Sequence, residues 1–191
     1  MSELSRFAAK LSELLKDDSL FLAGERINED GLLVLTEDEA GREKRTVKLS
    51  DVPADAQIIK VDNFDLQGRF ICTAGNSDVG KRCDYVIIDA QHSRILLIEL
   101  KLGTKGDGER KQVVAQLKGG RVVIDYLVAL IAHFHSESLD LNPEEFRYAW
   151  ISYREAKTQK SESRANGRDI DSPMRLKNAQ KTVYSFKRIT R

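Results

Sequence analysis

Apolar side chains at Leu4, Phe7, Ala8, Leu11, Leu14 and Leu15 recur every three or four residues, which predicts an amphipathic helix over residues 2–16. Ser2 stands where an N-cap belongs. The period then changes. GLLVLTEDEAGREKRTVKLS, residues 31–50, reads as a hairpin that turns in the Glu39-Ala40-Gly41 region, and DVPADA reads as a connector. QIIKVD (57–62) and RFICT (69–73) read as short strands. KRCDYVIIDAQHSRILLIELK (81–101) contains two apolar strands, about 83–89 and 94–101, joined by a short polar turn. A glycine-rich loop over 102–108 leads into a long helical pattern from Glu109 to about Phe134. Gly119 and Gly120 fall inside that pattern. Each costs about 1 kcal/mol in a helix, so the pair marks a kink, a break or a close approach to the backbone. EFRYAWISYR (145–154) is dense in β-formers and predicts a strand. Residues 155–180 mix Ser, Asn and Gly with charges and read as a polar loop, after which the alternation of TVYSFKRI (182–189) predicts a last strand.

That order predicts an α/β (α+β) core, a mixed central sheet flanked by helices. A length of 191 residues suits one domain over 1–191. Within it, 1–56 forms a helix and hairpin extension, 57–154 the core, and 155–191 a basic loop with a terminal strand. With 41% hydrophobic and 32% charged residues the composition is that of a soluble globular protein. No apolar run reaches the roughly 18 residues of a membrane span. The N-terminus lacks a signal-peptide core, so the expected location is cytoplasmic, without a membrane partner. Cys72 and Cys83 are too few for a disulfide framework and are expected as reduced, buried thiols.

Charge is unevenly spread. From Arg154 to Arg191 there are eleven Lys or Arg against four acids, a surplus of seven; the whole chain carries +1, so the remainder carries −6. Such a segment suits an anionic partner, and equally a solvated basic loop.

The second apolar strand ends Glu99-Leu100-Lys101. Alternate residues of a strand share a face, so Glu99 and Lys101 point with Ile95 and Leu97, while Leu96, Ile98 and Leu100 point the other way. A hairpin closed symmetrically around 90–93 sets Asp89 opposite Arg94 and Asp84 opposite Glu99. Opposed Cβ atoms lie about 4.5–5.5 Å apart, where two carboxylates repel unless a cation or a proton lies between them. Hard oxygen ligands suit Mg²⁺ or Mn²⁺. A register slip of one residue would undo this pairing. A strand-end ion pair between Glu99 and Lys101 is the structural alternative.

Asp84, fourteen residues, then Glu99-Leu100-Lys101, with a following helix that opens ERKQVVAQLKGG, resembles the PD-(D/E)xK nuclease superfamily and its restriction endonuclease-like fold. The resemblance covers about residues 57–154, with 2–16 as the leading helix. It departs from the family pattern in having Cys83 rather than Pro before Asp84. It implies divalent-metal-dependent hydrolysis of phosphodiester bonds, in DNA ahead of RNA, in defence against foreign DNA or in repair. The implied metal ligands are Asp84, Glu99 and the Leu100 carbonyl, and the implied catalytic residues are Asp84, Glu99, Lys101 and Gln116. Gln112 shares the face of Gln116. Lys81, Arg82, Lys105 and Lys118 would contact nucleic acid. Some members add an acid from the first helix, which Glu3 or Glu13 could supply. A homodimer or a specificity-giving protein partner fits such enzymes. The rival reading is a non-catalytic module that keeps the fold and binds nucleic acid or protein.

Other signals carry less. Gly75 to Arg82 imitates a Walker A loop, but Arg82 replaces the Ser or Thr and a strand follows where a helix should. His133 and His135 fit a helix C-terminus. No Ser-His-Asp arrangement is legible. Trp150, Tyr148 and Tyr153 read as strand core.

Overall fold

The computed structural model describes residues 1–16, 18–37, 45–64, 78, 80–101, 107–153, 166–177 and 182–191. The turn at 39–41, the strand at 69–73 with Cys72, Gly75–Ser77, Lys105 and residues 154–165 lie outside them.

Helix α1 (Glu3–Leu14) starts where Ser2 accepts a hydrogen bond from the Ser5 N–H, and it buries Leu4, Phe7, Ala8 and Leu11. After it come β1 (Leu20–Leu22), β2 (Leu33–Glu37), β3 (Arg45–Ser50), β4 (Gln57–Lys60), β5 (Tyr85–Asp89) and β6 (Arg94–Lys101). Helix α2 (Asp107–Phe134), β7 (Phe146–Ser152), β8 (Met174–Lys177), β9 (Val183–Ser185) and α3 (Phe186–Ile189) complete the chain. Six strands form a mixed sheet in the order β1-β4-β5-β6-β7-β8, and β2-β3-β9 form a second sheet. In the large sheet β1, β4, β5 and β6 pair antiparallel, whereas β6, β7 and β8 run parallel. A parallel pair needs a long crossover, and α2 supplies the one between β6 and β7.

The sheet is covered on both faces. Leu4, Phe7 and Leu11 of α1 and Val113, Leu117 and Ile124 of α2 pack on Val86, Ile88, Ile95, Leu97 and Trp150. The second sheet packs Leu33, Leu35, Val47 and Leu49 on Ile87, Leu96, Ile98, Leu100 and Ile151 from the other side. Burial on two faces explains why β5 and β6 are apolar nearly throughout instead of alternating. Among the described residues no helix is long and apolar enough to cross a membrane.

α2 runs unbroken through its two glycines, which resolves their role. A Cβ on Gly119 would sit 1.6 Å from the Lys81 carbonyl oxygen, and one on Gly120 would sit 2.3 Å from Cys83 Sγ. The pair lets the segment entering β5 lie directly against the helix.

Three expectations change. The polar loop expected over 155–180 contains β8, whose Met174 and Leu176 pack on the second core while Arg175 and Lys177 take the opposite face. The strand expected over 182–189 ends at Ser185, whose hydroxyl accepts from the Arg188 N–H and starts α3. Phe186 and Ile189, three apart, then bury one side of that helical turn. The strand expected over 57–62 stops at Lys60 and passes into a 3-10 turn at Val61–Asn63.

Candidate active site

The β5/β6 hairpin sets the register of the site. Asp89 pairs with Arg94 and Tyr85 with Ile98. One step further, the Asp84 N–H donates to the Ile98 carbonyl at 3.1 Å, one residue off the ladder register, so the regular pairing ends at Tyr85 and the expected facing of Asp84 and Glu99 gives way to a local bulge beside the end of β6. Glu99 shares its face with Ile95 and Leu97, toward the helices.

Three groups meet at this end of β6. The Leu100 N–H donates to Asp84 Oδ2 at 2.6 Å. Lys101 Nζ lies 3.0 Å from Glu99 Oε1. Glu99 is 1% exposed and its Oε2 has no hydrogen-bond partner among the described residues. The Ile98 carbonyl and the Leu100 N–H both face β5, and within a strand residue both backbone groups point to the same side, so the Leu100 carbonyl lies on that edge as well.

Burial raises both carboxylates. Asp84 is pushed up to about 7, by desolvation first and then by the charge of Glu37, against the Leu100 N–H and Lys101, which lower it. Glu99 is raised well above the ordinary range by desolvation and then by Asp84, with Lys101 opposing. Among the described residues, the buried Glu99 and partly buried Asp84 carboxylates have one cation, Lys101, in contact with them, and are short of positive charge. Cys83, buried and reduced, lies close enough that both carboxylates add to the burial that raises its thiol.

The donor set fits a hard divalent cation: two carboxylates, one with an unpartnered buried oxygen, and a backbone carbonyl on the same edge. Among the described residues no cluster of three or more His, Cys, Asp or Glu is placed to hold a metal ion. An ion here would rest on Asp84, Glu99, Leu100 and water.

Gln116, partly buried on α2, donates from Nε2 to the Arg82 carbonyl at 3.5 Å, two residues before Asp84. Gln112 is exposed. Lys81 is paired with Asp78, and Arg82 has a buried Nη1 without a hydrogen-bond partner among the described residues. Lys118 pairs with Asp171 at 2.8 Å, over the segment that enters β8. The first helix contributes no acid: Glu3 bonds Arg6 and the Asp140 N–H, and Glu13 bonds Lys10.

Sequence reading missed five neighbours: Glu37, Trp150, Ser152, Arg175 and Lys177. Glu37 ends β2, and the Tyr85 hydroxyl, donating to the Thr36 carbonyl, holds that strand end against β5. Trp150 is level with Glu99 across the β6/β7 ladder, and Arg175 is level with Trp150 across β7/β8. Lys101, Ser152 and Lys177 form the next row. All three end their strands, so the site lies at the carboxyl ends of the parallel strands, where open α/β sheets bind ligands. Trp150 is strand core as expected, at 4% exposure, yet its ring belongs to the site's own row.

Comparison with protein-family models, curated proteins and solved structures finds no match to this chain.

Proposed function

We propose that this protein is a divalent-metal-dependent nuclease with a restriction endonuclease-like core, hydrolysing phosphodiester bonds in DNA ahead of RNA. The observation that carries the reading is buried Glu99 beside partly buried Asp84, with Lys101 Nζ 3.0 Å from Glu99 Oε1. A purely structural ion pair accounts for Glu99 and Lys101. It does not account for a second carboxylate, Asp84, held by the Leu100 N–H at the same end of β6.

Asp84, Glu99 and the Leu100 carbonyl would hold the ion. The chemistry a divalent cation supplies when bound there is acidification of a water and neutralisation of charge growing on the scissile phosphate. The chain does the rest. Lys101, 25% exposed and anchored by Glu99, orients the attacking water and offsets phosphate charge. Gln116 fixes the Arg82 backbone and with it the approach of Asp84. The cover of α2 and Trp150 keeps bulk water from Glu99, which strengthens each of these interactions.

The test is cleavage of supercoiled, linear and single-stranded DNA and of RNA in Mg²⁺, Mn²⁺ or EDTA. Cutting should require metal and fall on the order of 10²–10³-fold or more in Asp84→Asn and in Lys101→Ala. Absence of cutting on every substrate, with equal metal titrations for wild type and Asp84→Asn, would sink the reading and leave a binding module.

A further inference from the structure

On the helix-facing side, one row crosses the large sheet from Glu99 through Trp150 to Arg175, and a second runs from Lys101 through Ser152 to Lys177. Strands lie about 4.8 Å apart, so Arg175 and Lys177 stand two strand spacings, roughly 10 Å, from Glu99 and Lys101. β8 is the edge strand of that sheet. It alternates two side chains into the second core with two cations onto the face of the site.

Three polar atoms in the first row are buried without a hydrogen-bond partner among the described residues: Glu99 Oε2, Trp150 Nε1 and Arg175 Nε. Each such atom costs about 1–3 kcal/mol when nothing satisfies it, and folded proteins keep few. Three in register, on neighbouring strands, mark a place where a polar group beyond the described residues would complete the row. Glu99 and Trp150, at 1% and 4% exposure, exceed nine-tenths burial. The Arg175 guanidinium carbon lies 4.3 Å over the centre of the Trp150 ring, which anchors the side chain. A guanidinium anchored against a ring keeps its N–H donors as a fork, the geometry that suits phosphate oxygens. Lys177 adds a partly exposed point charge one row nearer the strand ends.

We propose that β8 is a phosphodiester-binding strand: Arg175, stacked on Trp150, and Lys177 grip the nucleic-acid backbone beside the bond presented to Asp84, Glu99 and Lys101. This rests on the nuclease reading of that site. It gives part of the basic 154–191 segment a defined task, in place of a general attraction for anions.

Trp150 is the only tryptophan in the chain, so its fluorescence reports on this row alone. Wild type and the Asp84→Asn variant are titrated in EDTA with short single- and double-stranded DNA and RNA oligonucleotides, and separately with inorganic phosphate. A saturable fluorescence change is expected with an oligonucleotide in both proteins. Arg175→Lys, which keeps the charge and loses the fork, should weaken binding about tenfold, and Lys177→Ala about fivefold with a shallower salt dependence. Lys177→Glu, a partly exposed position, serves if Arg175→Lys melts early. Unchanged affinity in the Arg175 and Lys177 variants, no binding by wild type, or inorganic phosphate binding as tightly as the oligonucleotide would each overturn the proposal. Binding that depends on β8 without cleavage in Mg²⁺ or Mn²⁺ would reject the nuclease reading alone. Cleavage with wild-type KM in the β8 variants would reject the strand's role alone.

Discussion

At the residue scale, the site is a problem of proton and charge balance. The Asp84 carboxyl rises from 3.8 to about 7 on folding, chiefly by burial. Between those values the folded chain binds a proton that the unfolded chain has released, so stability falls as pH rises through this window. Below it both states are protonated and the penalty vanishes; above it the penalty is complete. Asp84→Asn removes this charge while keeping an oxygen for the Leu100 N–H. In EDTA at pH 8 the variant should therefore be more stable than wild type, by an amount of order 2–4 kcal/mol. The gain should shrink steadily toward pH 4.5. Urea melts at three pH values measure it, and a variant less stable than wild type at pH 8 would contradict the burial account.

At the element scale, α2 and the segment before β5 act as one unit because two glycines let them touch. Gly119→Ala drives a Cβ into the Lys81 backbone, which has no flexible end to swing aside. The expected cost is about 2–3 kcal/mol, read as a lowered urea midpoint, with a loss of the proposed cleavage in the fraction that stays folded. A variant matching wild type in both would mean that the contact is slack. The sequence made this pair visible only as an anomaly in a helix; what approaches it depends on tertiary packing. The β5/β6 register was legible because a symmetric turn around 90–93 fixes the pairing and pleat parity fixes the faces. The parallel neighbours were not. β7 meets β6 only after the whole of α2, and no turn chemistry specifies that register. Trp150 thus looked like core when it is also the neighbour of Glu99. β8 was hidden by its four-residue length and its two cations, and β9 ran on into α3 because Tyr184 and Phe186 continue the alternation.

At the scale of the whole molecule, a cation bound at Asp84 and Glu99 would link two strands of the central sheet and relieve the repulsion between them. Any ligand that binds only the folded state raises its melting temperature by mass action. Mg²⁺ or Mn²⁺ at about 100 times its Kd adds about 2.7 kcal/mol, or roughly 5–10 °C for a domain of this size. Thermal melts at pH 8 should show that rise in wild type and lose it in Asp84→Asn; equal shifts in the two proteins would place the binding elsewhere.

The second sheet carries a consequence for the order in which the chain completes itself. β9 lies parallel to β3, with Lys48 beside Val183, and the Ser185 hydroxyl donates to the Asp51 carboxylate at 2.8 Å. The sheet beneath Leu96, Ile98 and Leu100 is therefore finished by residues that leave the ribosome long after those it joins. A nascent chain that already holds Asp84, Glu99 and all of α2 still has an open side under its carboxylates. Pairing across such a sequence distance is slow to form, and it comes after the local hairpins. On the nuclease reading, the topology works as a timer: the sheet beneath the cutting site is complete only once residue 185 has joined β3.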